Sequence, residues 1–560
     1  MEVSMMQNMT GKQAILEILK LEGVEYIFGN PGTSEAPLIN MLGDYPELKY
    51  ILSLQESVAV GMAESYARCT KKASFVNLHV DNGLANGMSL ILDAYNTGTP
   101  MVVTSANYDA RKISEGITDL ADLVRPVTKW AVELTLPDQI PSVLRRAFKE
   151  ANTHPKGPVY VGFTSNAMEG TATMDIAPSS LVRDQSRPDL RAIEEASDIL
   201  LESENPVMIV GDRVSDDDAM GYAIELAELI GFSVYQSRGA EVSFPTQHEQ
   251  FFGNLSLRLI SHREVIKRYD TVLTIGMDTF EDLFHWGDRI LTNNTKLIHI
   301  DSEQGKIGKS EPTSLGIVSN CATAIQDLIG EINIRISNAK MSTINDRVLE
   351  VKRQVLAERN AFMEGVKPTW DNLPITPARM MSEIAQSLPT NAMVVDDSLS
   401  NRASLRRFIQ AQNRGDIVGV RGQSIGGGIG ATMGAQCANP EKKVFGIIGD
   451  GSAMMTIQGL WTAANENIPC VFIICNNGMY RILKTNYAIY QKDVLGETET
   501  AGPNLLHSDF GTPFDVASIA NSMGVYGERI ERPEQIKPAI DKAVSMNAPV
   551  LLDIIIDGSM

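Results

Sequence analysis

Ile448-Gly-Asp-Gly-Ser452, followed by Cys475-Asn-Asn-Gly478, is the pair of stretches on which the reading of this chain turns. Each closes a short apolar run, Lys443-Val-Phe-Gly-Ile-Ile448 and Cys470-Val-Phe-Ile-Ile474, and Asp450 and Asn477 stand 27 residues apart. A helix-sized segment from near Ile457, with Trp461 and Asn465, fills the interval. This predicts two parallel strands joined by a crossover helix, with their carboxyl ends side by side. Ligands bind at such ends. Gly449 and Gly451 let the backbone approach a phosphate, and a helix N-terminus offers unpaired N–H donors. Asp450 and the side-chain carbonyl of Asn477 are hard oxygens. Mg²⁺ takes one or two of these from a protein and fills its shell with phosphate and water. Alone, either tripeptide is an ordinary turn. Together, each after a strand, they point to a metal–diphosphate site.

Outward from that pair, short apolar runs alternate with helical patterns along the whole chain, the mark of parallel sheets with crossover helices. Tyr26–Phe28, Lys49–Leu52, Ala73–Val76, Met101–Thr104 and Val159–Val161 read as strands, with helices over Gly11–Glu22 and Ser57–Arg68. Val207–Val210, Thr271–Ile275 and Lys296–Ile300 read likewise, as do Ala392–Val395 and Val550–Ile556. Polar stretches at about Thr173 to Arg191, and a charged helical segment Thr343 to Glu364 before Pro368 and Pro374, break the rhythm. The expectation is three α/β domains, at 1–175, 190–340 and 370–560. No short-period repeat is visible.

The 560 residues carry a net charge of −20. Such a surface repels nucleic-acid backbones and anionic lipid. No apolar run reaches the ~18 residues of a membrane helix, and Met1 to Thr10 does not read as a signal peptide. The five cysteines show no disulfide or metal spacing, which fits a reducing compartment. The chain reads as cytoplasmic, with no nucleic-acid or membrane partner.

The two stretches resemble the thiamine-diphosphate signature, a Gly-Asp-Gly followed about thirty residues on by Asn-Asn. The resemblance implies three doubly wound parallel-sheet domains: pyrimidine-binding, central and diphosphate-binding. It implies that Asp450, Asn477 and the backbone carbonyl of Met479 hold Mg²⁺, for which Ca²⁺ can substitute. Gly451, Ser452 and Tyr480 would then line the diphosphate, and Ser400 would add a contact from another strand end. Phe28-Gly-Asn-Pro-Gly-Thr33 and Leu54-Gln-Glu-Ser-Val-Ala-Val-Gly61 carry the likeness into the first domain. Glu56 falls at the family's activating glutamate, which bonds N1′ of the aminopyrimidine and promotes loss of the thiazolium C2 proton. Ile425 matches the apolar residue that keeps the cofactor bent. Gln423 stands where the family commonly has Gly, with its backbone carbonyl available to the 4′-amino group.

Within the superfamily the chain looks most like benzoylformate decarboxylase, through Gly29–Pro37, Leu54–Glu56, Val76–His79 and Ile448–Ala453 with Leu460–Ala464. The substrate implied is a 2-oxo acid, decarboxylated to an aldehyde and CO₂ or coupled to a second carbonyl as an acyloin. His79 is the proton-transfer candidate. Acetohydroxyacid synthases usually carry glutamine there. Thr33 matches a serine that contacts the substrate carboxylate, and His285 is the candidate second histidine. Asp81 either meets a polar substrate group or caps the next helix. The rival reading is an acetolactate-synthase-like carboligase, where FAD is common, although no clear flavin fingerprint is found. A non-catalytic cofactor sensor is a third reading, disfavoured by the joint presence of Glu56, Asp450 and Asn477. The resemblance also implies a homodimer or homotetramer with active sites between chains.

Overall fold

The structure, a computed structural model, describes residues 6–183, 185–237, 241–256, 260–278, 289–419, 424–497 and 507–559. Gln423 and His285 lie outside the described residues.

Three six-stranded parallel sheets follow one another along the chain. Reading across the first, the strands are Lys49–Leu52, Tyr26–Gly29, Ser74–His79, Met101–Asn107, Pro158–Thr164 and Ala131–Leu134. The central sheet runs Phe251–Asn254, Ser233–Gln236, Pro206–Val210, Thr271–Ile275, Lys296–Asp301 and Leu315–Val318. The third runs Ile417–Gly419, Met393–Asp397, Val444–Gly449, Val471–Asn476, Val550–Ile555 and Tyr526–Ile530. Numbered in chain order within each sheet, the first and third share the order 2-1-3-4-6-5, whereas the central sheet is 3-2-1-4-5-6. The outer sheets are thus a structural repeat that the sequence does not display. The strongly apolar runs became strands because both faces of a parallel sheet are covered by helices. Short strands with polar or half-exposed residues, such as Ala131–Leu134 and Tyr526–Ile530, escape a reading based on apolar runs.

Two segments differ from expectation. The interval after Gly449 holds two helices, Asp450–Met455 and Gly459–Asn465, so a helix begins at Asp450 itself. The charged segment expected as helical over Thr343 to Glu364 is helical and longer, one 29-residue helix, Asn338–Val366, which buries Val351 and Val355 against the central unit.

One apolar core runs through the first and third units, joining Val58, Met62 and Val76 to Ile429, Met433 and Leu460. Its axis is the crossing of helix Glu56–Thr70 with helix Gly428–Ala438. A Cβ on Gly430 would lie 2.7 Å from the Val58 carbonyl oxygen, and one on Gly434 2.0 Å from that of Met62. Only glycine lets the two backbones approach so closely. All three units meet around Arg68, at the far end of the first helix. Its guanidinium donates to Glu241 of the central unit at 2.6 and 3.0 Å and to the Gly419 carbonyl of the third at 2.5 Å.

Gly434→Ala is therefore expected to cost at least about 2 kcal/mol of stability through overpacking. Gly330→Ala, in the exposed interior of helix Cys321–Arg335 with nothing within 4 Å of the new methyl, should be neutral or stabilising by up to about 1 kcal/mol. Thermal unfolding of the two variants side by side checks the contrast.

Candidate active site

In the third unit, strands Val444–Gly449 and Val471–Asn476 pair in parallel with Gly449 opposite Cys475, so Asp450 and Asn477 emerge side by side. Strand Met393–Asp397 lies on the other flank. These ends surround one cleft, lined by Ser398–Asn401, Gly449–Gly451, Cys475, Asn477 and Met479–Ile482. Asp450 Oδ1 accepts from the Gly451 amide at 2.8 Å, and Oδ2 from the amides of Gly478 at 2.7 Å and Asn477 at 3.1 Å. Burial nevertheless pushes the Asp450 carboxyl up to about 6. A cation against it would restore the anion. The oxygen donors at this cleft are a carboxylate, a side-chain amide and backbone carbonyls, a hard set suited to Mg²⁺ or Ca²⁺. Among the described residues no cluster of three or more His, Cys, Asp or Glu side chains forms a complete metal cage. A cation here would need a ligand phosphate and water to fill its shell.

Gly451 leaves room that another residue would fill. A Cβ there would sit 2.4 Å from Tyr480 Cε1 and 3.0 Å from Phe510 Cζ, two rings already packed edge to face at 4.8 Å. Leu399, immediately before Ser400, sits at φ +50°. Such a backbone costs of order 1–3 kcal/mol and persists where its surroundings impose it.

Ser452 is placed differently from expectation. It is fully buried, its hydroxyl donates to Asp397 Oδ2 at 2.5 Å, and it accepts from the Gly426 amide at 2.7 Å. The hydroxyl is thus occupied in tying the Gly-Asp-Gly loop to the turn that carries half-buried Ile425. Asp397 Oδ2 also accepts from Gly428 N at 3.0 Å, and burial lifts this carboxyl to about 7.

In the first unit, Glu56 opens helix Glu56–Thr70 and is 6% exposed. Asn30 Nδ2 donates to its Oε1 at 3.0 Å and Asn86 Nδ2 to its Oε2 at 3.1 Å. Gly83 lies between Glu56 and His79: a Cβ there would be 3.0 Å from Glu56 Oε1 and 3.2 Å from His79 Cβ. His79 ends its strand with a partly exposed ring, and its Nδ1 lies 2.8 Å from Oε2 of fully buried Glu35. Glu35 also accepts from the Gly32 and Ala106 amides, each at 2.9 Å, and from Ser34 Oγ. A carboxylate on Nδ1 favours the ring proton there and leaves Nε2 as the nitrogen with a free lone pair. Val80, the next residue, is β-branched yet has φ +34°.

The structure brings Glu56 and His79 together, and separately Ser400, Asp450, Gly451, Asn477, Met479 and Tyr480. Thr33 is exposed, and Ser34 rather than Thr33 touches His79, at 3.2 Å. Asp81 accepts from the Asn82 amide and from Thr118 Oγ1, both at 2.8 Å, and stands inside the first turn of helix Val80–Thr97, whose N-cap residue is His79, so it does not cap that helix. Sequence reasoning missed Glu35, Asn30, Asn86 and Asp397. Asn30 and Glu35 stand inside the quoted Gly29–Pro37 stretch. Asn86 carries no local signal, because only the return of helix Val80–Thr97 past Glu56 gives it a partner.

Comparison with known proteins matches this layout unit by unit. Residues 9–125 match the thiamine pyrophosphate enzyme N-terminal TPP binding domain, 193–328 the central domain and 400–554 the C-terminal TPP binding domain. The chain belongs to the thiamine pyrophosphate enzyme family. It is 28% identical to a benzoylformate decarboxylase of Pseudomonas aeruginosa, over 97% of this chain and 98% of the relative. It is 27% identical to a probable acetolactate synthase large subunit of Methanocaldococcus jannaschii, over 98% of this chain and 92% of the relative. Among solved structures, a thiamine diphosphate-dependent 4-hydroxybenzoylformate decarboxylase of Rhodococcus jostii superposes with a TM-score of 0.83 at 24% identity, over 98% of this chain and 99% of the other, and shares the fold.

Gly451→Ala should push the Tyr480 ring into the cleft. Affinity for thiamine diphosphate with Mg²⁺ is expected to fall at least about tenfold, which is about 1.4 kcal/mol, as calorimetric titration of the variant against wild type would show.

Proposed function

We propose that this protein catalyses thiamine-diphosphate-dependent, non-oxidative decarboxylation of a 2-oxo acid to an aldehyde and CO₂, in the manner of benzoylformate decarboxylases. The observation that carries the reading is the placement of Glu56 and His79 on either side of Gly83, with Glu35 fixing the imidazole. Two groups able to move protons thus stand close together around Gly83, as a reaction that consumes and releases protons at a carbonyl carbon requires.

The donor set at Asp450, Asn477 and the Met479 carbonyl fits Mg²⁺, and the missing side chain at Gly451 leaves room for a diphosphate beside it. When bound, thiamine diphosphate supplies the electron sink for cleavage of the carbon–carbon bond beside the keto group. Glu56, pinned by Asn30 and Asn86, would hold or release a proton toward the cofactor's pyrimidine ring. His79 Nε2 gives or takes a proton at the substrate-derived carbon or oxygen. Ile425, half-buried in the turn that Ser452 holds, would offer the cofactor an apolar contact.

The acetolactate synthase relative gives a second reading, in which a second 2-oxo acid replaces the proton as acceptor. A histidine at position 79 favours protonation and hence aldehyde release. The proposal includes the assembly. The lining of the Asp450 cleft draws on the third unit alone, while in the first unit Leu54, two residues before Glu56, and Leu92 and Tyr95 on helix Val80–Thr97 expose apolar surface. A second copy of the chain that covers this surface would complete the site as a homodimer or homotetramer.

Glu56→Gln is expected to lower turnover by roughly 10²- to 10⁴-fold with cofactor binding retained. Near-wild-type CO₂ release by that variant would remove Glu56 from the mechanism. Product analysis over 2-oxo acids of varied size and polarity should give aldehyde and CO₂ in equal amounts. Acetolactate from pyruvate as the main product would instead support the carboligase reading.

A further inference from the structure

Arg481 stands apart from the other cations around the Asp450 cleft. Lys484, one turn later, is paired with Asp509 at 2.7 Å, and Arg402 with Asp396 at 3.0 Å. Arg481 lines the cleft beside Tyr480, yet its Nε is buried with no hydrogen-bond partner, and its guanidinium forms no ion pair among the described residues. The first turn of its helix, Arg481–Ile489, contains no acidic residue. A buried guanidinium N–H without an acceptor is costly, and such a group in a native site marks a missing partner.

The charges of the cleft indicate what that partner is. Asp450 is the one acidic residue in the lining and Arg481 the one basic residue. A divalent cation next to Asp450 keeps only part of its charge for a diphosphate, so the bound group would remain anionic overall. A guanidinium matches phosphate oxygens in charge and in its paired N–H geometry. Arg481 is also the first residue of its helix, where unpaired backbone N–H groups favour an anion.

We propose that Arg481 is a diphosphate-pairing residue, the counter-cation of the cofactor's anionic tail. This rests on the functional reading above. It adds a side-chain contact to the backbone amides and metal that the signature implies. Specificity for the diphosphate over shorter thiamine forms then depends on Arg481.

The test is calorimetric titration of cofactor-free protein, in saturating Mg²⁺, with thiamine diphosphate, with thiamine and with inorganic pyrophosphate. Arg481→Met should weaken thiamine diphosphate and pyrophosphate binding ten- to a hundredfold and leave thiamine binding unchanged. Arg481→Lys should fall between, since it keeps the charge and loses the fork. Thermal unfolding of the cofactor-free variants should match wild type. Unchanged thiamine diphosphate affinity in Arg481→Met would overturn the proposal. So would equal losses for thiamine and thiamine diphosphate, which mark a general disturbance. A raised KM for the 2-oxo acid with unaltered cofactor affinity would assign the cation to the substrate carboxylate instead. A wild-type protein that binds none of the three would overturn the functional reading itself, and the Arg481 assignment with it.

Discussion

Everything in this molecule hangs from the contact between helix Glu56–Thr70 and helix Gly428–Ala438. The backbones meet so closely that Cβ atoms at Gly430 and Gly434 would collide with carbonyl oxygens of the opposing helix. The first helix begins with the candidate activating carboxylate. The second begins behind the turn that carries Ile425. Because interiors are packed as tightly as crystals, such a contact transmits position. Arg68 fixes the far end of the first helix by bonding both other units at once. A buried ion pair of this kind adds little net stability, because desolvation offsets attraction, but its donor geometry restricts where the three units sit.

The two halves of the site are built alike. Each lies at the carboxyl ends of a sheet with the same strand order. Each uses a fully buried carboxylate, Glu35 or Asp397, as a staple. Glu35 gathers donors from three neighbouring segments and holds the His79 ring. Asp397 joins the Ser452 hydroxyl to the start of a glycine-rich helix. Each half also contains a non-glycine residue in the left-handed region, Val80 or Leu399, directly beside a residue assigned to the chemistry. Strain beside a site is tolerated where surrounding bonds over-determine the backbone. The His79 ring and the Gly-Asp-Gly loop are thus each held in place by a buried acid.

The chain alone determined the strands with continuous apolar runs and the parallel class, and it singled out Glu56, His79, Asp450 and Asn477 as candidate site residues. Those are local signals: a run that fills both faces of a sheet, or a tripeptide whose backbone admits a phosphate. Tertiary structure alone decided which strands are neighbours, that the outer sheets repeat, and that Ser34 rather than Thr33 meets His79. It also decided that the Ser452 hydroxyl faces Asp397, that Asn30 and Asn86 grip Glu56, and that the Arg481 Nε has no hydrogen-bond partner among the described residues. The physical reason is the same in each case. A side chain's role depends on which distant group comes within about 3 Å of it, and residues such as Asn86 and Glu56, 30 apart in the chain, acquire that proximity only when strands and helices pack.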